Sequence, residues 1–63
     1  MSKYEYRLLI NRLNEICESL KSRYDLTSEV VRLVRPICLS MVIEQGLTDK
    51  ETVDTIAARY GLK

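Results

Sequence analysis

The sequence contains no histidine, tryptophan or phenylalanine, and it has only two glycines, two cysteines and one proline. Without histidine, the chain lacks the side chain that ordinarily changes charge near neutral pH. Gly46 and Gly61 stand alone, so there is no glycine-rich loop to hold a phosphate. Cys17 is a potential nucleophile, but the first helix offers no base to activate it. The sequence therefore predicts a protein that is not an enzyme and that uses no cofactor.

The short length limits the fold. Sixty-three residues allow one domain, so we expect a single helical domain over residues 1–63. A chain of this size buries a small core and has no room for a nucleotide-binding α/β fold or a deep enzyme cleft. Its apolar fraction of 46% exceeds that of disordered chains. We therefore expect a small folded domain of marginal stability.

Long apolar runs are also missing. No stretch of about 18 apolar residues is present, so no membrane span is expected, and residues 1–6 lack the pattern of a signal peptide. Cys17 and Cys38 are too few for a disulfide framework, and a metal site would need two further ligands. We expect a cytoplasmic protein that makes no membrane contact, with both thiols reduced, buried and bound to no metal.

The spacing of apolar residues predicts an all-α fold of three helices, at about 3–24, 28–45 and 49–60. In the first, apolar residues recur at steps of three and four, as on one face of a helix. They are Tyr6, Leu9, Leu13, Ile16 and Leu20. Tyr4 and Leu8 fall beside this stripe. The connection that follows offers three candidate N-caps for the second helix, namely Asp25, Thr27 and Ser28.

The second segment is apolar nearly all round. Ten of its fourteen residues from Val30 to Ile43 are valine, leucine, isoleucine, methionine or cysteine. Pro36 lacks an amide hydrogen and clashes with the preceding turn of a helix. The segment is therefore predicted to be one helix kinked near Pro36 or two pieces broken there. A β-strand at residues 30–34 is disfavoured, because it would have no partner strand.

The third segment has signals at both ends. Thr48 and Glu51 have the spacing of a capping box, and Gly61 can end the helix in a left-handed conformation, with Leu62 folding back towards Ala57. The same region, residues 53–63, resembles the first half of a helix-turn-helix, in which an alanine, a turn glycine four residues later and an apolar residue occur in this order. An ordinary helix with a glycine cap accounts for these residues equally well, and the match does not include a recognition helix.

The apolar second helix indicates how the protein acts. Two amphipathic helices cannot cover all its sides, and proteins rarely leave large apolar patches exposed. We therefore expect a homodimer or higher oligomer in which a second copy covers the remaining apolar side of this helix. The expected function is regulation of another macromolecule by binding, with a protein favoured as the target, as for many small bacterial and phage regulators. Arg32 and Arg35 are candidate anchors, because arginine is favoured at interfaces. The candidate partner-binding residues are Arg32, Arg35, Leu39, Val42, Tyr4, Leu8 and Arg12.

Two alternatives remain open at this point. In the first alternative, the protein is a dimeric DNA- or RNA-binding transcriptional regulator that uses a basic helix face or a degenerate helix-turn-helix. Its net charge of +1 and isoelectric point of about 7.8 disfavour this, because domains that bind phosphate backbones are usually more basic. In the other, the chain is a structural subunit of a larger assembly.

Overall fold

A computed structural model describes residues 2–62, which form three packed helices. Helix α1 spans Lys3–Tyr24, α2 spans Ser28–Glu44 and α3 spans Asp49–Arg59. Each helix packs against the other two, and no strand occurs within the described residues. The all-α three-helix fold predicted from the spacing is confirmed, with helix ends that differ from the prediction by at most one residue.

The start of each helix is fixed by a hydroxyl side chain. Ser2, Thr27 and Thr48 are the N-caps, and their oxygens accept hydrogen bonds from amides three residues later. Of the three candidates before α2, Thr27 is therefore the cap. Asp25 instead ends α1, with a left-handed backbone at φ = +53°. Such side chains satisfy first-turn amides that have no partner within the helix.

The core lies where the three helices meet. Its buried apolar side chains are Leu13, Ile16, Cys17, Leu20, Val34, Cys38, Met41, Val42, Val53 and Ile56. Every helix contributes to this list, and Thr52 is the buried polar residue, with its hydroxyl donating to the Thr48 carbonyl at 2.8 Å. The stripe predicted on α1 is confirmed from Leu13 onward.

Helix α2 continues through Pro36 without interruption. The predicted alternative of two broken pieces is therefore wrong. Pro36 is exposed, so its ring lies on the solvent side of the helix, and the missing amide removes only the bond to the Arg32 carbonyl. Burial of Val34, Cys38, Met41 and Val42 on the opposite side holds the helix together across this position.

The N-terminal end of α1 extends beyond the core. All its residues from Lys3 to Leu8 are exposed, and Leu9 and Ile10 are half-buried. Tyr6 was expected on the core-facing stripe, but 59% of its surface is exposed. The reason is length, because 22 residues span about 33 Å and the shorter helices do not reach this end. The molecule is 36 Å long in its largest dimension.

Candidate functional site

An apolar groove lies at one end of the molecule. It has a volume of about 320 Å³, and one wall is formed by α2 residues at helical spacing, Val30, Leu33, Val34 and Ile37. The rest of the lining comes from the α1–α2 connection and from the residues after α3. These are Leu26, Tyr60 and Leu62.

The groove is apolar on all sides and open to solvent. The phenol of Tyr60 is the one side-chain hydrogen-bonding group among its lining residues. Leu33 is 74% exposed, Tyr60 48% and Val30 39%. A site for a nucleotide or sugar needs several converging polar groups to orient the ligand. This groove instead offers an almost entirely apolar lining.

Backbone hydrogen bonds fix the wall that follows α3. The Leu62 amide donates to the Ala57 carbonyl at 2.8 Å, and Gly61 has φ = +63°. This is the glycine-capped helix end predicted from the sequence. The arrangement places Leu62 half-buried against the core. Residues 53–62 thus form a helix with a glycine cap, a geometry that both interpretations of this segment share.

The candidate residues of α2 have different environments. Arg32 is exposed, and Arg35 is half-buried with Nη1 4.0 Å from Cys17 Sγ. Leu39 is half-buried and packs against the core. Val42 is buried in the core with 7% of its surface exposed, because α1 and α3 cover this side of α2. Val42 is therefore not accessible to a partner in this conformation.

The candidate residues of α1 divide into two groups. Tyr4 and Leu8 are exposed on the projecting end, at 72% and 47%. Arg12 is engaged within the chain, since Nε and Nη2 both contact Asp49 Oδ1, at 2.9 and 2.8 Å, and Nη2 also donates to the Leu47 carbonyl at 3.3 Å. Arg12 thus ties α1 to the start of α3, while 43% of its side chain remains exposed.

The predicted residues therefore do not form one surface. Sequence reasoning also missed most of the groove, above all Leu33, Ile37, Tyr60 and Leu62. The signal that could have found it is the spacing of Val30, Leu33, Val34 and Ile37, which defines a second apolar face of α2 beside the core face.

Several basic side chains are held by internal contacts. Besides Arg12 and Arg35, Lys21 Nζ donates to Ser28 Oγ at 3.1 Å, and the Arg23 guanidinium lies over the Tyr24 ring at 5.8 Å. Acidic Glu15 and Glu18 occupy the same helix. The basic residues of α1 are thus interspersed along the helix with acidic and neutral residues.

Both cysteines are free and buried, as predicted. Burial raises the pKa of the Cys38 thiol to about 11, and the nearby Cys17 adds to this increase. Cys38 is consequently a neutral apolar residue at physiological pH. Among the residues that the structure describes, no group of three or more metal-ligating side chains comes together.

The chain matches no family model, no curated protein and no solved structure. Over residues 2–62, none of the helices has both the length and the apolar character required to cross a membrane. The geometry of the groove is therefore the principal observation on which a function can be argued.

Proposed function

We propose that the protein is a small non-enzymatic regulator or adaptor that binds a helical segment of another protein in the apolar groove. The observation that carries this proposal is the groove itself, with its continuous apolar lining and its exposed Leu33. Exposed apolar surface of this kind is unfavourable in water and is typical of binding sites.

The shape of the α2 wall favours a helix as the ligand. Val30, Leu33, Val34 and Ile37 follow the i, i+3, i+4, i+7 pattern and extend over about 10 Å of helix. A partner helix with apolar residues at the same spacing can place its ridge against this wall. Tyr60 and Leu62 close the other side, so the apolar residues of the ligand are enclosed from two directions.

The experiment compares groove variants with a matched control. The protein is used as bait in an extract of its source cells, treated with nuclease, beside the variants Val30→Asn and Tyr60→Ala. Leu8→Asn is the control, because Leu8 is similarly exposed but lies on the projecting end of α1. Circular dichroism establishes that all four proteins are helical.

The proposal predicts a protein that is retained by the wild type and by Leu8→Asn and is lost with both groove variants. The captured protein, once purified, should bind each groove variant at least about tenfold more weakly than it binds the wild type, because each substitution removes an apolar contact that the complex buries. Equal retention by all four baits contradicts the groove as the site. A parallel extract without nuclease separates the alternative, because a protein retained only from the untreated extract supports nucleic-acid binding, in which case affinity should fall steeply with salt.

A further inference from the structure

Helix α2 has a second exposed surface, which shares Leu33 with the groove and extends from there towards the C-terminal end of the helix. It consists of residues on the side of α2 opposite Val34, Cys38 and Met41, and we call it the outer strip. Its members are Arg32, Leu33, Pro36, Ser40, Ile43 and Glu44. Leu33 is 74% exposed and Ile43 53%, Pro36 is exposed and Ser40 is half-buried. Leu33 lies at the border with the groove, whose remaining lining is on the side towards α3.

Between two oppositely charged ends, the strip carries the exposed residues Leu33, Pro36 and Ile43 and the polar Ser40. Arg32 stands at the N-terminal end and Glu44 at the C-terminal end. Between them the one charged residue of α2 is Arg35, and its guanidinium points to Cys17 instead. The Ser40 hydroxyl donates to Glu44 Oε2 at 3.1 Å, which holds that carboxylate on the strip.

The pattern is symmetric about one level of the helix. Arg32 and Glu44 are equally distant from position 38, and so are Leu33 and Ile43. If two α2 helices pack antiparallel with this level at the centre, Leu33 lies at the level of Ile43 of the second copy. In the same register Arg32 lies at the level of Glu44 of the second copy, and each pairing occurs twice. A two-fold interface requires such a self-complementary surface.

Parallel packing would be less favourable. It would place Arg32 beside Arg32 and Glu44 beside Glu44, and like charges at close range oppose association. Glu29 also lies on this side of α2, one turn before Arg32. In the antiparallel register it extends beyond the last turn of the other α2 and therefore meets no charge of that helix.

We propose that the protein forms a two-fold symmetric dimer through the outer strip, with the two α2 helices antiparallel and centred at the level of residue 38. The occupant of this surface is thus a second copy of the chain. The dimer covers Leu33, Pro36 and Ile43, which the monomer leaves exposed. Leu33 also lines the groove, so the dimer and a groove ligand share this one side chain, whereas Pro36 and Ile43 belong to the outer strip alone.

Charge reversal tests the arrangement. Oligomeric state is measured by analytical ultracentrifugation at micromolar concentration for the wild type, Arg32→Glu, Glu44→Arg and the double variant. The wild type should be a dimer. Each single variant should raise the dimer dissociation constant about tenfold, because it creates two pairs of like charges across the interface. The double variant restores opposite charges, and its dissociation constant should return to within about threefold of the wild-type value. Arg7→Glu and Glu15→Arg, on exposed positions of α1, are the matched controls and should have no effect.

Cross-linking tests the orientation. A mixture of Leu33→Cys and Ile43→Cys proteins should form a disulfide-linked heterodimer under mild oxidation with diamide. Neither protein alone should do so, because like positions lie about 15 Å apart along the antiparallel axis. A monomeric wild type at 7.3 kDa, a dimer that all charge variants leave unchanged, or cross-linking of Leu33→Cys with itself would each overturn the proposal.

Discussion

Arg12 and Asp49 join the first and third helices by a two-pronged contact, with Nε and Nη2 of the arginine 2.9 and 2.8 Å from the same carboxylate oxygen. The two residues are separated by 37 positions in the sequence, and Arg12 also binds the Leu47 carbonyl. One side chain thus positions both the loop before α3 and its first turn. This contact orients the helix whose C-terminal end supplies one side of the groove.

A double-mutant cycle measures the strength of this pair. Arg12→Ala, Asp49→Ala and the double variant are compared by urea unfolding at one protein concentration. We expect a coupling energy of about 0.5–1 kcal/mol, because both side chains remain partly exposed, at 43% and 41%, and water screens such pairs. The coupling should decrease in 1 M salt. A coupling indistinguishable from zero would show that Arg12 acts only through Leu47.

The capping box of α3 gives a pH dependence of known sign. The Thr48 backbone amide and hydroxyl hold the pKa of the Glu51 carboxyl below its ordinary value of 4.5. A carboxyl whose pKa is lowered by folding stabilises the fold above the unfolded value, and this contribution is lost as the pH falls through the folded pKa. The test is the difference in the free energy of unfolding between wild type and Glu51→Gln. This difference should be constant above about pH 5.5 and should decrease as the pH falls below 4.5. A difference that does not change with pH contradicts the box.

The two thiols should react in a fixed order. Cys38 is fully buried with a pKa near 11, whereas Cys17 is 5% exposed beside the Arg35 guanidinium. Because the thiolate is the reactive form and must be reached by the reagent, iodoacetamide at pH 8 should label Cys17 first and Cys38 only after local or global unfolding. Mass spectrometry of timed samples assigns the sites. Labelling of both within the first seconds would show that the core is open.

Replacement of the helix-internal proline should stabilise the protein. Pro36 is exposed and leaves the Arg32 carbonyl without its helical donor. Pro36→Ala restores this bond, and we expect the free energy of unfolding to increase by about 1–2 kcal/mol after the larger chain entropy of the unfolded variant is deducted. Urea unfolding measures the change, with Ala58→Gly, in the exposed last turn of α3, as a control that should be destabilised. A loss of stability in Pro36→Ala would indicate that contacts of the ring with the second copy in the proposed dimer outweigh the restored hydrogen bond.

The sequence was most informative where a pattern is local. Helix positions follow from the 3.6-residue period, and the Thr48–Glu51 box and the Gly61 cap depend on residues within one turn of each other. These predictions are confirmed. The all-round apolar pattern of α2 also indicated exposed apolar surface, but it did not identify which residues are exposed, since that depends on where α1 and α3 lie.

Residues that depend on tertiary placement were the least predictable. The sequence indicates an exposed basic residue at Arg12, yet its guanidinium is bound to the carboxylate of Asp49, 37 positions away. Tyr6 follows the core period and is nonetheless 59% exposed, because it lies on the end of α1 that projects beyond the core. The groove combines the α1–α2 connection, α2 and the residues after α3, and no local pattern unites three such distant segments.

Because α1 is longer than its neighbours, its two halves differ in their resistance to local unfolding. From Leu13 onward, its amides can exchange with solvent only when the core opens, whereas the turns before Leu9 can unwind without loss of a buried side chain. Local opening of this kind has a free-energy cost far below that of global unfolding. The N-terminal turns are held mainly by the Ser2 cap and intrinsic helix propensity, so we expect them to exchange between helix and coil within about a microsecond, as helical peptides do, while the rest of the molecule stays folded.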